Sequence, residues 1–236
     1  MQDATLTGNR AKNARKIGVF RLPCGPVLLG EGAVAAVMQL KAENLSCNRG
    51  GREVFRNLSF GLKTGEAMVV TGRNGAGKSS LLRIIAGLVR IASGRLSLEG
   101  GEPDIPIGEQ AHYLGHQDAF KPTLTVGQNL QFWSGFLGDG RTVEGALQAV
   151  DLASLTDLPA AFLSAGQRRR LSIARLLAVS RPIWLLDEPT SSLDAPSQQR
   201  LAELMHVHLL DGGMIIASAH GAIGLERARE LKLGLA

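Results

Sequence analysis

Apolar and polar positions change rhythm several times along this chain, and each change marks an element. "MQLKAENL", starting at Met38, alternates in the manner of a half-buried strand, and so does the stretch after it, so strands are expected at 38–45 and 54–62. "AMVVT" (67–71), "IWLLD" (183–187) and "MIIASA" (214–219) are short and almost wholly apolar, the pattern of strands buried on both faces. Helical spacing appears in "SLLRIIAGL" (80–88), in 126–137 and 143–153 on either side of the turn "GDGR", after Gly166, and in 195–210. "GRLSLEG" and "AHYLG" read as further strands, and "LKL" near the end is a candidate to close the sheet. Buried strands alternating with helices predict an α/β fold with a parallel sheet covered on both sides. No internal repeat or sustained heptad is present, so the economical reading is one domain with a helical insertion.

Upstream of Met38 the periodicity stops. Residues 1–37 hold five basic against two acidic side chains, so most of the net charge of +5 sits there and the rest of the chain is only mildly basic. Such a segment is expected to be a flexible, solvated extension or no part of the native protein. The charge therefore gives little support to a nucleic-acid partner, and aromatic residues at 4% would furnish few stacking platforms for single strands. Cys24 and Cys47 form no CxxC pair, which fits a reducing compartment. No apolar run reaches the ~20 residues of a membrane helix, and "GPVLLGEGAVAAVM" is too broken by glycine and Glu31 for a signal-peptide core. A soluble protein able to dock on a membrane partner is expected.

Chemistry concentrates in two places. "GRNGAGKSS", running Gly72, Arg73, Asn74, Gly75, Ala76, Gly77, Lys78, Ser79, Ser80, follows an apolar strand and opens a helix. Glycines at 72, 75 and 77 let the backbone turn its N–H groups inward on phosphate oxygens. Lys78 would neutralise β- and γ-phosphates, Ser79 would ligate Mg²⁺, and the helix start adds its dipole. The spacing points to a nucleotide site. In "PIWLLDEPTSSLD" (182–194), Asp187 falls at the carboxyl end of a buried strand, where it can hold Mg²⁺, and Glu188 follows as candidate general base.

The phosphate loop, "LGHQ" with Gln117, "LSAGQ" (163–167), "LLDEP" (185–189), "SSLD" (191–194) and "SAH" with His220 stand in one fixed order. Together, over about residues 38–236, they resemble the nucleotide-binding domain of ATP-binding cassette transporters. The resemblance implies a phosphate-loop NTPase fold: a mainly parallel sheet flanked by helices, with an antiparallel β subdomain and a helical subdomain at roughly 118–180. It implies ATP and Mg²⁺ as cofactors and a second copy of the chain as partner. Ser164, Ala165, Gly166 and Gln167 would cap a helix that grips the γ-phosphate of ATP held by the other copy. Gln117 would touch Mg²⁺ or the attacking water, Asp194 would lie at the dimer seam, and His220 would contact the γ-phosphate and orient Glu188. Arg168–Arg170 would lie on the helix behind the signature rather than on a nucleic acid.

Two departures stand out. "LSCNRGGREVF" offers no aromatic residue to stack on adenine, leaving Arg49 or Arg52 as a substitute, and Ala165 replaces a commoner glycine. His112, His116, His206 and His208 have no assigned role, and the last two are expected at the surface. The short length, "NGAGKSSLLRIIAGL", "YLGHQDAFKPTLTVGQNL" and "LSAGQRRRLSIARL" are similar to ATPase subunits that serve c-type cytochrome maturation. These imply an ATPase bound peripherally on the cytoplasmic side of a bacterial inner membrane, two copies on two integral membrane permease subunits, with residues 117–136 receiving the permease. An ATPase for another transported substrate, or a soluble cassette ATPase acting on nucleic acid, are the alternatives.

Overall fold

A computed structural model describes residues 37–137 and 143–234. The extension up to residue 36, the turn 138–141 and Cys24 lie outside the described residues.

Three antiparallel strands come first. β1 (Gln39–Arg49) pairs with β2 (Arg52–Lys63) and, on its other edge, with β4 (Ser93–Glu99). The alternation in "MQLKAENL" predicted β1 only to residue 45. Pairing continues to Arg49 across register shifts between Ala42 and Asn48, which break the period-two pattern without ending the strand. The β1–β2 hairpin closes on Gly50 and Gly51, both at positive φ, as a tight turn here requires.

The second sheet is parallel throughout, in the order β5 (Ala111–Leu114), β6 (Ile183–Asp187), β7 (Met214–Ser218), β3 (Ala67–Thr71), β8 (Arg229–Lys232). β8 confirms the closing strand read from "LKL". The apolar strands alternate between two cores. Ile183, Leu185, Met214 and Ile216 face one, with Leu81, Leu82, Ile84 and Ile85 of α1 (Lys78–Ile85) and the inner face of the antiparallel sheet. Trp184, Leu186, Ile215 and Ala217 face the other, with α2 (Val126–Leu137), α3 (Val143–Ala149), α4 (Ala165–Ala178) and α5 (Ala195–Leu210). The period-two alternation thus sends neighbouring residues of one strand to opposite cores.

Helix limits moved where local backbone overrode pattern. α1 begins at Lys78, directly out of the glycine loop. α3 stops at Ala149, because Asp151 adopts a left-handed φ of 56° and Ala153–Leu155 tighten into a 3-10 turn. Among the described residues no helix is long and apolar enough to cross a membrane.

Candidate nucleotide site

β3 ends where the glycine loop begins. Gly77 has φ 100°, and a Cβ there would lie 2.5 Å from Val54 Cγ1 on β2, so only glycine fits between the loop and the antiparallel sheet. Gly72 is equally constrained: at φ 141° its Cβ would fall 2.5 Å from the Leu233 carbonyl oxygen. The loop folds around Lys78, whose buried ammonium donates to the carbonyls of Gly72 (2.8 Å) and Arg73 (3.3 Å). No side chain caps α1, so its first amides stay open toward the loop. Arg73, Asn74 and Gly75 are exposed, and Ala76 and Ser80 half-buried, along this cradle.

β3 and β6 are not neighbours; β7 lies between them. Ser79 at the start of α1 nevertheless reaches the end of β6, its Oγ donating to Asp187 Oδ1 at 3.0 Å. Ser218, at the end of the intervening β7, completes the junction. Its buried hydroxyl donates to Asp187 Oδ1 at 2.6 Å and accepts from the Glu188 N–H at 3.0 Å. Tyr113, on the neighbouring strand β5, donates to Asp187 Oδ2 at 3.4 Å and is itself held by Arg83 Nε at 3.1 Å. Burial pushes the Tyr113 phenol up, so it stays a donor at neutral pH. Two serine hydroxyls and a phenol around one buried carboxylate form a hard-oxygen set that suits Mg²⁺.

Glu188 sits just beyond the strand with φ 46°, unusual for a side chain of this size. The turn lifts its carboxylate clear of the sheet edge, and His220 Nε2 stands 3.4 Å from Glu188 Oε1. These two candidate catalytic residues therefore meet, close to Asp187. Gln117 does not join them: it lies exposed on the loop after β5, with no hydrogen bond to Ser79 or Asp187 among the described residues.

The signature stands apart. Ser164 caps α4, its Oγ accepting from the Gln167 N–H at 3.2 Å while Gln167 Oε1 accepts from the Ser164 N–H at 2.8 Å. Gln167 thus spends its amide oxygen on the cap. Helix geometry leaves the Ala165 and Gly166 N–H groups without an intrahelical acceptor. A Cβ on Gly166 would meet the Ser192 carbonyl oxygen at 3.1 Å, whereas Ala165 is tolerated on the exposed side. Asp194 caps α5, its Oδ1 accepting from the Ser197 N–H at 3.0 Å; hydrogen bonding from Ser197, its side chain first and its N–H second, lowers the Asp194 pKa.

The three arginines behind the signature differ in kind. Arg168 donates to the carbonyl of Leu163, just before its own helix cap, and Arg170 pairs with Asp151. Arg169 is buried and donates inward to the carbonyls of Gly115, Asp187, Glu188 and Pro189. Ser218, Tyr113 and Arg169 escaped sequence reading. Only their places at strand ends, or inside an arginine run, could have signalled them.

The histidines also need one correction. His206 is exposed as expected, but His208 is buried and stacks on Trp184 with ring centroids 4.0 Å apart. The helical period turns 208 inward beside Met205 and Leu204, and aromatic stacking makes the apolar side tolerable for imidazole. His112 is buried on β5 with its Nε2 against the Val179 carbonyl at 2.8 Å. Arg49 and Arg52 are exposed at the β1–β2 hairpin, beside the strand that packs on Gly77.

The family profile for ABC transporters matches residues 55–191. The cytochrome c biogenesis ATP-binding export protein CcmA of Nitrobacter winogradskyi is 58% identical over 198 residues, covering 84% of this chain and 98% of that protein. The protein of the same name from Brucella abortus is 51% identical over 192 residues, covering 81% and 89%. Among solved structures, an ATP-binding subunit of an ABC transporter superposes with TM-score 0.73 at 26% identity, over 82% of this chain and 85% of that one. A dimeric ATP-binding cassette in a post-hydrolysis state with ADP and phosphate gives TM-score 0.71 at 24% identity, over 82% and 94%. With the phosphate loop, the strand-end carboxylates and the signature placed by the fold, and identity above half across nearly whole relatives, the chain belongs to the ABC transporter family.

Proposed function

We propose that this chain is the ATP-hydrolysing subunit of a transporter complex in c-type cytochrome biogenesis, concerned with haem export. One observation carries the chemistry: the hydroxyls of Ser79 and Ser218, from two other elements, converge within 3.0 Å on one carboxylate oxygen of Asp187 beside the phosphate loop. The similarity to proteins named for cytochrome c biogenesis supports the physiological role.

In this reading Lys78 and the open amides of α1 hold the β- and γ-phosphates. Ser79, Asp187 and Gln117 would hold Mg²⁺, which would supply charge neutralisation on the phosphates. Glu188 accepts a proton from the attacking water, and His220 fixes the carboxylate's direction. The remaining donors come from the Ser164–Gly166 helix start of a second copy, with Asp194 at the seam, so two chains close head to tail around two nucleotides. Arg49 or Arg52 stacks on the base.

The partner in the membrane is a multi-span permease, two copies on two ATPases, seated on the helical subdomain at roughly 118–180. Residues 117–136 offer it Phe132 and Phe136, both exposed, with Lys121 Nζ 5.0 Å from the Phe132 ring. That seat places the chain on the cytoplasmic face of the inner membrane. Affinity capture from native membranes tests the proposal. A small multi-span protein recovered with ATPase activity is expected; recovery with ribosomal RNA instead would overturn it.

A further inference from the structure

Arg169 engages four backbone carbonyls, where Lys78 in the phosphate loop engages two. Its Nη2 donates to Asp187 O at 3.0 Å and Glu188 O at 2.8 Å, its Nε to Pro189 O at 3.3 Å, and its Nη1 to Gly115 O at 2.7 Å. Nη1 also lies 3.6 Å from the Asp118 carboxylate, which Ser172, one turn along α4, holds at 2.8 Å. A further turn on, Arg175 donates to the Tyr113 carbonyl at 2.7 Å. The inner face of α4 is therefore fastened along the end of β5, the loop that bears Gln117, and the tip of β6.

That tip carries backbone strain. Glu188 holds φ 46°, a conformation that persists only when its surroundings fix it. Ser218 fixes its N–H, through both the hydroxyl (3.0 Å) and the carbonyl (3.2 Å). Arg169 fixes the carbonyls on either side and of the residue itself. A planar guanidinium suits this task because its donors diverge in one rigid fork, which a lysine ammonium cannot reproduce.

We infer that Arg169 is a positioning residue for ATP hydrolysis, locking the Glu188 tip and the Gln117 loop to the helix that begins with Ser164. It touches no nucleotide group; it sets where the Glu188 carboxylate stands and makes that placement depend on the seating of α4. The inference rests on Glu188 being the general base. A displacement near 1 Å at such a group is enough for about a hundredfold loss of rate.

The test uses the full chain in its membrane complex, with Arg169→Lys, Arg169→Gln, Arg170→Lys as control, and Glu188→Gln in parallel. For Arg169→Lys, the affinity for a fluorescent ATP analogue with Mg²⁺ and the KM for ATP should stay within about twofold, while kcat falls at least about tenfold. Arg169→Gln should fall further, and Arg170→Lys should match the wild type. Unchanged kcat in Arg169→Lys, or parallel loss of binding, kcat and thermal stability in both Arg169 variants, would make the residue merely structural and overturn the inference. Failure of both to fold would do the same. If Glu188→Gln keeps full turnover, the base assignment falls and takes this route with it. An inactive Glu188→Gln beside an unimpaired Arg169→Lys sinks the inference alone.

Discussion

Lys78 and Gly166 both stand in the first turn of a helix, yet their surroundings differ in almost every respect. Lys78 is buried, its helix has no side-chain cap, and its loop is closed in by β2 and the residues after β8. The signature is exposed at Ser164 and Ala165, capped by Ser164 and Gln167, and preceded by Phe162 at 73% exposure. In the proposed reading this contrast is half of each of two sites, with the dense side built by the chain and the open signature left for a second copy to complete.

The comparison can be broken first at the dense half. Glu188→Gln should lower kcat by about 10²- to 10⁴-fold while ATP binding persists; steady-state kinetics beside equilibrium binding decide, and wild-type turnover would remove the base. The open half is tested by mixing. Gly166→Val, whose side chain collides with Ser192, and Lys78→Ala should each be inactive alone. Random pairing of the two should restore roughly a quarter of the wild-type rate, since mixed pairs keep one intact site. No recovery, or wild-type activity that is independent of dilution, would show that the two halves do not meet across a seam.

Smaller effects sharpen the contrast. Ser218→Ala removes a donor from buried Asp187 and an acceptor from Glu188, at a cost of about 1–3 kcal/mol. Calorimetry should register it as a fall in Tm of about 2–4 °C per kcal/mol, whereas Ala165→Gly at the exposed signature should shift Tm by less. Burial also depresses His112 to about 3 and His208 to about 4. The unfolded chain, titrating near 6.5, then binds more protons than the folded one. Stability is present above pH 6.5 and is lost as pH falls from there toward 4. The limiting slope is up to about 1.4 kcal/mol per histidine per pH unit. Denaturant melts across pH 7 to 5 should show it, and His208→Leu should remove roughly half of the slope.

Much of this was legible in the letters. Glycine spacing before Lys78–Ser79 reads directly because phosphate geometry fixes where backbone must bend, and "IWLLD" announces both its burial and the carboxylate at its end. β1 was read short because bulges interrupt alternation without ending pairing. His208 was misplaced because a two-residue separation says nothing about which histidine the helix turns inward. Arg169 was read only as one of three arginines on the helix behind the signature, since only the packing of α4 on β5 and β6 distinguishes it from Arg168 and Arg170.

Local rules, then, were enough to set the strands, the phosphate loop and the order of the functional segments, because each depends on a few adjacent residues and the dihedrals or periods they allow. The insertion of β7 between β3 and β6, the use of Ser218 to join Ser79 to Asp187, and the turning of one arginine in three toward the tip of β6 depend on contacts between residues far apart in the chain. Those were settled only when the two cores formed and buried polar groups had to find partners within reach.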